Sequence, residues 1–347
     1  MSKVTEQPST ESRKVDHIRI NLENDVQFPC LTTGLERYRF LHEALPELSL
    51  DDIDTTTSLF GKQLAAPLLI SSMTGGTEIA QTINRNLARG AQEHRIAMGL
   101  GSQRAAIEDS TLSVSYRIRD VAPDILLFAN VGAVQLNYGY GLEHCQKAID
   151  MVGADALILH FNVLQEAVQP EGDIDFSGLL RKVEAICAQA SVPVVAKEVG
   201  WGFSEAAVRG LAGAGVSAID VAGSGGTSWS EVEYHRAPTA FHARVARSFA
   251  DWGIPTAEAI QYARRAAPSL PIIASGGLRD GIDIAKSLAL GADIAGLASP
   301  FLQAASDSFQ AVNALIQALK TQLRIAMLCT ASRDICALKR AELQLIS

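Results

Sequence analysis

Asp155-Ala-Leu-Ile-Leu-His-Phe-Asn-Val-Leu-Gln-Glu166 is the stretch on which the reading of the fold turns. Ala156 to Leu159 is short, apolar and uncharged, the pattern of a buried β-strand. It ends abruptly in His160, Asn162, Gln165 and Glu166. In an extended chain His160 and Asn162 share a face, because side chains alternate with period two. A polar cluster at the carboxyl end of an apolar parallel strand is where α/β folds place chemistry. A strand running into a solvated loop would not need four groups able to hold a metal, a phosphate or a proton.

The same rhythm repeats on both sides. Leu68–Ile70 runs into Ser71-Ser72-Met73-Thr74-Gly75-Gly76, residues 96–100 into Gly101-Ser102-Gln103-Arg104, and 125–129 into Asn130. Further on, 192–196 ends at Lys197-Glu198, 218–221 at Gly223-Ser224-Gly225-Gly226-Thr227, 271–274 at Ser275-Gly276-Gly277, and 294–297 at Ala298-Ser299. Helical patterns follow most of them, over 78–94, up to 152, 176–190, 204–214 with Ser204 as N-cap, 280–290, and one long helix over 304–327. Eight strands alternating with helices predict parallel βαβ units closed into a (β/α)8 TIM barrel spanning 63–347, with a doubly wound open sheet as the rival. Residues 1–62 read as an N-terminal arm and lead-in: a mobile polar stretch over 1–12, a basic cluster Arg13-Lys14-Val15-Asp16-His17, and a β-excursion over 47–62. The insertion 228–256 after the sixth strand reads as a lid.

With 347 residues, 48% of them hydrophobic, the chain can bury a large core. A net charge of -8 argues against a nucleic-acid surface, so local basic clusters read as sites for anionic small molecules. Cys30, Cys145, Cys187, Cys329 and Cys336 form no C-x-x-C pair, which suits a reduced, cytoplasmic protein. The chain opens with no apolar leader and has no apolar run of the ~18 residues a membrane span needs.

Three glycine-rich turns, at 75–76, 223–227 and 275–277, let backbone N–H groups approach an oxyanion. A single pair would be only a tight turn; the three together, two of them late in the barrel after strands six and seven, point to a phosphate-bearing cofactor. Lys197 reads either as a Schiff-base lysine or as a cation beside an electron-rich ring. Glu166 is the one carboxylate in the cluster around the fourth strand, enough for Mg2+ when a diphosphate supplies the other oxygens.

Arg13-Lys14-x-x-His17, Met73-Thr74-Gly75-Gly76, Gly101-Ser102-Gln103-Arg104, His160-x-Asn162-x-x-Gln165-Glu166, Lys197-Glu198, Gly225-Gly226-Thr227-Ser228-Trp229 and Ser275-Gly276-Gly277 together resemble the type II isopentenyl-diphosphate isomerases. The resemblance runs over residues 13–330. It implies an FMN-dependent barrel that interconverts isopentenyl and dimethylallyl diphosphate, with FMN reduced by NADPH and acting in proton transfer. By the same resemblance Ser72, Met73, Thr74, Ser102, Asn130, Lys197 and Thr227 hold FMN, and Gly276, Gly277, Arg279, Ala298 and Ser299 cradle its phosphate. Arg13, Lys14 and His17, with Arg104, His160 and Asn162, fold over the substrate diphosphate, which replaces a solvated reading of the basic cluster. Gln165 lies near the reacting alkene, with His160 and Asn162 alongside, and Glu166 binds Mg2+. Ala222 stands where some relatives carry a hydroxyl residue. The resemblance further implies a homo-oligomer, tetramer or octamer, working on a small prenyl diphosphate without nucleic acid or membrane. Two other readings compete: an FMN-dependent 2-hydroxy acid oxidase or dehydrogenase with His160 as base, and a non-catalytic nucleotide-sensing barrel.

Overall fold

The computed structural model describes residues 10–346. Eight parallel strands close a barrel: β1 (Leu68–Ile70), β2 (Ala97–Gly99), β3 (Leu127–Gly132), β4 (Ala156–Phe161), β5 (Val194–Glu198), β6 (Ala218–Asp220), β7 (Ile272–Ala274) and β8 (Ile294–Leu297). Each pairs with its neighbours in chain order, and β8 returns to β1, as predicted. Helices start where the sequence supplies a cap. The Thr77 hydroxyl accepts the Ala80 N–H, the Ser204 hydroxyl the Ala207 N–H, and the Asp280 carboxylate those of Ile282 and Asp283. Each cap satisfies N–H groups that a helix start leaves without partners.

The barrel interior is layered. Its lower part is apolar, with Leu69, Ala97, Leu126, Phe128, Ala156, Ile158, Val195 and Ala218 in one cluster. Leu59 and Leu64 complete that cluster from below, on a hairpin that pairs Thr57–Leu59 with Lys62–Leu64. The β-excursion read from sequence is thus the floor of the barrel, tied to the start of β4 by Lys62 Nζ 3.1 Å from Asp155 Oδ1. The upper layer is polar. Strand register sets Gly132 beside His160, His160 beside Lys197, and Lys197 beside Asp220.

The N-terminal segment embraces this barrel from top to bottom. The stretch read as mobile over 1–12 lies, for residues 1–9, outside the described residues, and from Thr10 it is helical, Thr10–Glu23. Ile20 and Val26 pack with Val232 and Trp229. The chain then crosses the barrel mouth, where the Phe28 N–H donates to Gly226 O (3.3 Å), and descends to pair Tyr38–Phe40 with Leu343–Leu345.

Two expectations change. The insertion 228–256 is not a loose lid: it folds as helices Trp229–Arg236 and Ala240–Arg247, with Ser228, Ser230, Glu231 and Glu233 buried. The long helix over 304–327 is two helices, Ser299–Asp307 and Phe309–Leu328. Ser308 is extended (φ -166°, ψ 165°) and caps the second through the Ala311 N–H, a break that the unbroken apolar period conceals.

Leu64→Ala is expected to cost about 2–5 kcal/mol, because it opens a cavity in the barrel floor. A lower urea midpoint at unchanged slope would register it; a loss below about 1 kcal/mol would mean the hairpin does not seal the barrel.

Candidate active site

The carboxyl ends of the strands open into one cavity of about 520 Å³. Every site residue predicted from sequence lines it. Ser72, Met73, Thr74, Ser102, Asn130, Lys197 and Thr227 form the central wall. Gly276, Gly277, Arg279, Ala298 and Ser299 come from the loops after β7 and β8, across the barrel from β3 and β4. Arg13, Lys14, His17, Arg104, His160, Asn162, Gln165 and Glu166 supply the remaining polar wall.

The loops after β6 and β7 touch backbone to backbone. A Cβ on Gly276 would lie 2.0 Å from Gly223 O, and one on Gly226 would lie 2.5 Å from Gly277 N. Gly276 and Gly277 also adopt left-handed φ values of +104° and +79°. Their N–H groups have no hydrogen-bond partner among the described residues, and the helix beginning at Ser299 adds a free first turn beside them. Such a cradle suits a phosphate. Higher on the wall the Ser71 and Ser72 hydroxyls are buried without partners. A cofactor with a phosphate tail and a polar ring edge, as FMN has, would satisfy both sets. Arg279 reaches from the cradle to the N-terminal strap, its Nη2 donating to Gln27 Oε1 at 2.6 Å. Ala222 carries no hydroxyl and sits at φ 37°, its carbonyl accepting the Gly202 N–H at 3.0 Å.

Lys197 forms an ion pair with Asp220 (Nζ–Oδ2 3.2 Å), and Ser275 Oγ donates to Asp220 Oδ1 at 2.5 Å. An ammonium clamped by a carboxylate favours the cation reading over a Schiff-base lysine, which must become neutral to attack a carbonyl. Asp220 was missed in the sequence, although a lone carboxylate inside an apolar strand was the available signal. Glu198 turns away from Lys197. Its Oε2 accepts the N–H groups of Val199, Gly200, Trp201 and Gly202 at 2.6–3.1 Å, and burial pushes its carboxyl up to about 7.

His160 Nδ1 lies 2.8 Å from Asn130 Oδ1. Asn130 is itself clamped: its N–H donates to Gln103 Oε1 (2.9 Å) and its carbonyl accepts the Gln103 N–H (2.8 Å). Burial, then Lys197 and Lys14, push His160 down to about 4, so its imidazole is neutral with the proton on Nδ1.

The arm closes the cavity. Arg13 Nη1 donates to Gln169 Oε1 at 3.3 Å, and Lys14 Nζ to Ser102 O at 2.7 Å. His17 Nε2 lies 3.0 Å from Glu233 Oε1, which also accepts from Gln165 Nε2 (3.3 Å) and Gln169 Nε2 (2.6 Å), while Arg236 donates to Oε2 (2.9 Å). Although burial works against it, His17 and then Arg236 hold Glu233 down to about 2. Glu166 is therefore not the one carboxylate beside β4. The helices of the 228–256 insertion bring in Glu233, and Asp173 joins Arg104 at 2.6 Å. Neither was legible as part of the site, because Glu233 enters from a helix of the insertion and Asp173 from the loop beyond the helix Val163–Val168, both outside the strand ends.

Glu166 accepts the Asn162 amide at Oε1 (2.7 Å) and the Asp173 N–H at Oε2 (2.8 Å). Burial raises its carboxyl above the usual range despite those two donors. Among the described residues no three His, Cys, Asp or Glu side chains converge as a metal cage. One carboxylate facing the cavity fits Mg2+, which keeps several waters and takes its other oxygens from a substrate phosphate.

A barrel with a phosphate cradle after β7 and β8 and a cation after β5 defines the class of FMN-binding (β/α)8 proteins. The profile described as FMN-dependent dehydrogenase matches residues 9–114 and 158–345. Among solved structures, mandelate oxidase with (S)-2-phenylpropionate superimposes with a TM-score of 0.68 at 20% identity, covering 97% of both chains, which shows the fold alone. Relatives named isopentenyl-diphosphate delta-isomerase lie nearer. That of Nostoc sp. is 57% identical, covering 96% of this chain and 95% of its own, and that of Synechococcus sp. is 53% identical, covering 97% of each. The chain belongs to the isopentenyl-diphosphate delta-isomerase family, within the FMN-dependent dehydrogenases.

Gly276→Ala is expected to weaken FMN binding by at least about tenfold, since its Cβ meets Gly223 O and φ is left-handed. Flavin absorbance retained after extensive dialysis reads this; full retention would mean the cradle is not where the phosphate sits.

Proposed function

We infer that this chain is an isopentenyl-diphosphate delta-isomerase, interconverting isopentenyl and dimethylallyl diphosphate. The observation that carries the reading is one cavity with two anion-holding regions, glycine backbone after β7 and β8 and cationic side chains from the arm, in a chain 57% identical to a relative of that name. One region suits the phosphate of FMN and leaves the other for a diphosphate. The 2-hydroxy acid oxidase reading needs an arginine pair for a carboxylate beside the histidine, and Arg279 instead binds Gln27.

The hydrocarbon end of the substrate offers no polar group, so binding energy comes from the diphosphate. Arg13, Lys14, His17 and Arg104 bind it, with Asn162. His160 holds its proton at Nδ1 against Asn130, and the incoming negative charge favours a second proton at Nε2, which then donates to the anion. Glu166 would hold Mg2+, which would supply positive charge to offset that of the diphosphate. Gln165, held by Glu233, orients beside the alkene. Bound FMN, kept reduced by NADPH, supplies an electron-rich ring and an acid–base group for a double-bond shift with no net redox change. We take the protein to be a cytoplasmic homo-oligomer acting without nucleic acid or membrane. The net charge of -8 argues against a nucleic-acid surface, and no helix among the described residues is long and apolar enough to cross a membrane.

The purified protein is expected to be yellow and to isomerise isopentenyl diphosphate only with Mg2+ and a reductant that is not consumed stoichiometrically. A colourless protein that gains nothing from FMN would sink the reading. Glu166→Gln should abolish most Mg2+-dependent turnover while the flavin spectrum persists. Lys14→Ala is expected to raise the KM for the diphosphate about ten- to hundredfold, the scale of one charged hydrogen bond; an unchanged KM would remove the arm from the site.

A further inference from the structure

Lys14, like Arg13 on Gln169, is held by neutral groups, unlike the carboxylate-paired Lys197 and Arg104. Lys197 is paired with Asp220, Arg104 with Asp173 and Glu108, and His17 with Glu233. The partners of the Lys14 ammonium are neutral. It donates to the Ser102 carbonyl at 2.7 Å and to the hydroxyl oxygen of Tyr116. The Tyr116 hydroxyl gives its own proton to the same Ser102 carbonyl, at 2.7 Å, which leaves an oxygen lone pair facing the lysine. Tyr116 is fully buried. Its ring lies so close over Gly75 that a Cβ there would be 2.0 Å from Cε1, so the ring is wedged between the Met73–Gly76 turn and the arm. An ammonium has three N–H donors, and this seat uses two.

We propose that Tyr116, through its hydroxyl and the shared Ser102 carbonyl, is the positioning residue that seats the Lys14 ammonium against the substrate diphosphate without neutralising it. The inference rests on the reading of this region as the diphosphate site. A carboxylate in the same place would hold the lysine as firmly but would cancel the charge that the diphosphate needs, whereas a neutral oxygen satisfies the donor and leaves the full charge for the ligand. Burial also pushes the Tyr116 hydroxyl far above the usual phenol range, so it stays an uncharged acceptor throughout the working range of pH. The charged and titratable groups around Lys14 are Arg13 on its own helix, Glu108 and Tyr116 from the segment between β2 and β3, and His160 from β4. Burial, then Arg13, lower Lys14 to about 7, with Glu108 opposing.

This arrangement has a distinctive pH signature. Well below pH 7 Lys14 is charged both before and after the anion binds, so the Tyr116 hydroxyl stabilises free and bound states alike and its loss barely changes affinity. Above pH 7 the free lysine is neutral and the bound one charged, so the hydroxyl stabilises only the complex. The test is calorimetric titration of inorganic pyrophosphate with Mg2+ into the FMN-loaded protein, comparing wild type with Tyr116→Phe between about pH 6 and 8.5, a range that spans the Lys14 titration. Phenylalanine keeps the ring over Gly75, and the affinity ratio at each pH cancels the titration of pyrophosphate itself. The expected penalty is about two- to tenfold at about pH 6, growing to about ten- to hundredfold at the alkaline end. In a Lys14→Met background, Tyr116→Phe is expected to add less than about twofold at any pH. A penalty that is absent, that does not change with pH, or that persists undiminished without Lys14 would overturn the proposal. Wild-type protein that binds no pyrophosphate would instead overturn the diphosphate reading beneath it.

Discussion

A charge buried inside a barrel has to be paired where it lies, and the upper layer of this molecule is arranged around that demand. Parallel register sets Lys197 of β5 beside Asp220 of β6 and His160 of β4. The 3.2 Å ion pair between the first two puts a cation inside the barrel mouth. Removing either partner would leave the other charge desolvated and alone. The layer below can therefore be wholly apolar, closed underneath by Leu59 and Leu64 of the hairpin, while the layer above becomes the wall of the cavity.

The partners of each cation sort the site into parts with different tasks. One carboxylate serves structure: Glu233 draws His17, Gln165, Gln169 and Arg236 onto itself and so ties the arm, the helix after β4 and the insertion together. Arg13 and Lys14 have neutral oxygens as partners, from Gln169, Ser102 and Tyr116. Their charge remains available to an anion. The phosphate cradle across the barrel uses no charge beyond Arg279 at its rim, relying on glycine N–H groups and a helix start. On the proposed reading the two regions hold anions by different physics, which suits one tightly kept cofactor and one substrate that must leave.

The insertion after β6 illustrates how such a site stays closed. It packs as two helices with Ser228, Ser230, Glu231 and Glu233 buried, and its Glu233 meets the arm through His17. The piece that spans the mouth is the N-terminal segment, whose Phe28 and Gln27 are stitched to the loop at Gly226 and Thr227. A segment held by a single β-bridge and two backbone hydrogen bonds rather than by a continuous sheet ladder has the lower cost of opening.

Local pattern alone determined the eight strands, their alternation with helices, and the polar or glycine-rich residues at their ends. Those follow from side-chain periodicity and backbone freedom, which act over a few residues. Because a parallel barrel gathers all its strand ends at one rim, the strand-end residues could be read as one group once the barrel was, with Asp220 at the end of β6 the exception. The partners that reach them from elsewhere could not be read: Glu233 against His17 and Gln165, Tyr116 against Lys14. Each pair joins positions far apart in the chain, and no period or motif encodes which distant turn will face which strand end. The break at Ser308 was hidden for a related reason, since the apolar stripe carries straight through it. Only the closed fold decided which charges would be neutralised and which left open to a ligand, because that depends on what each buried group meets across space.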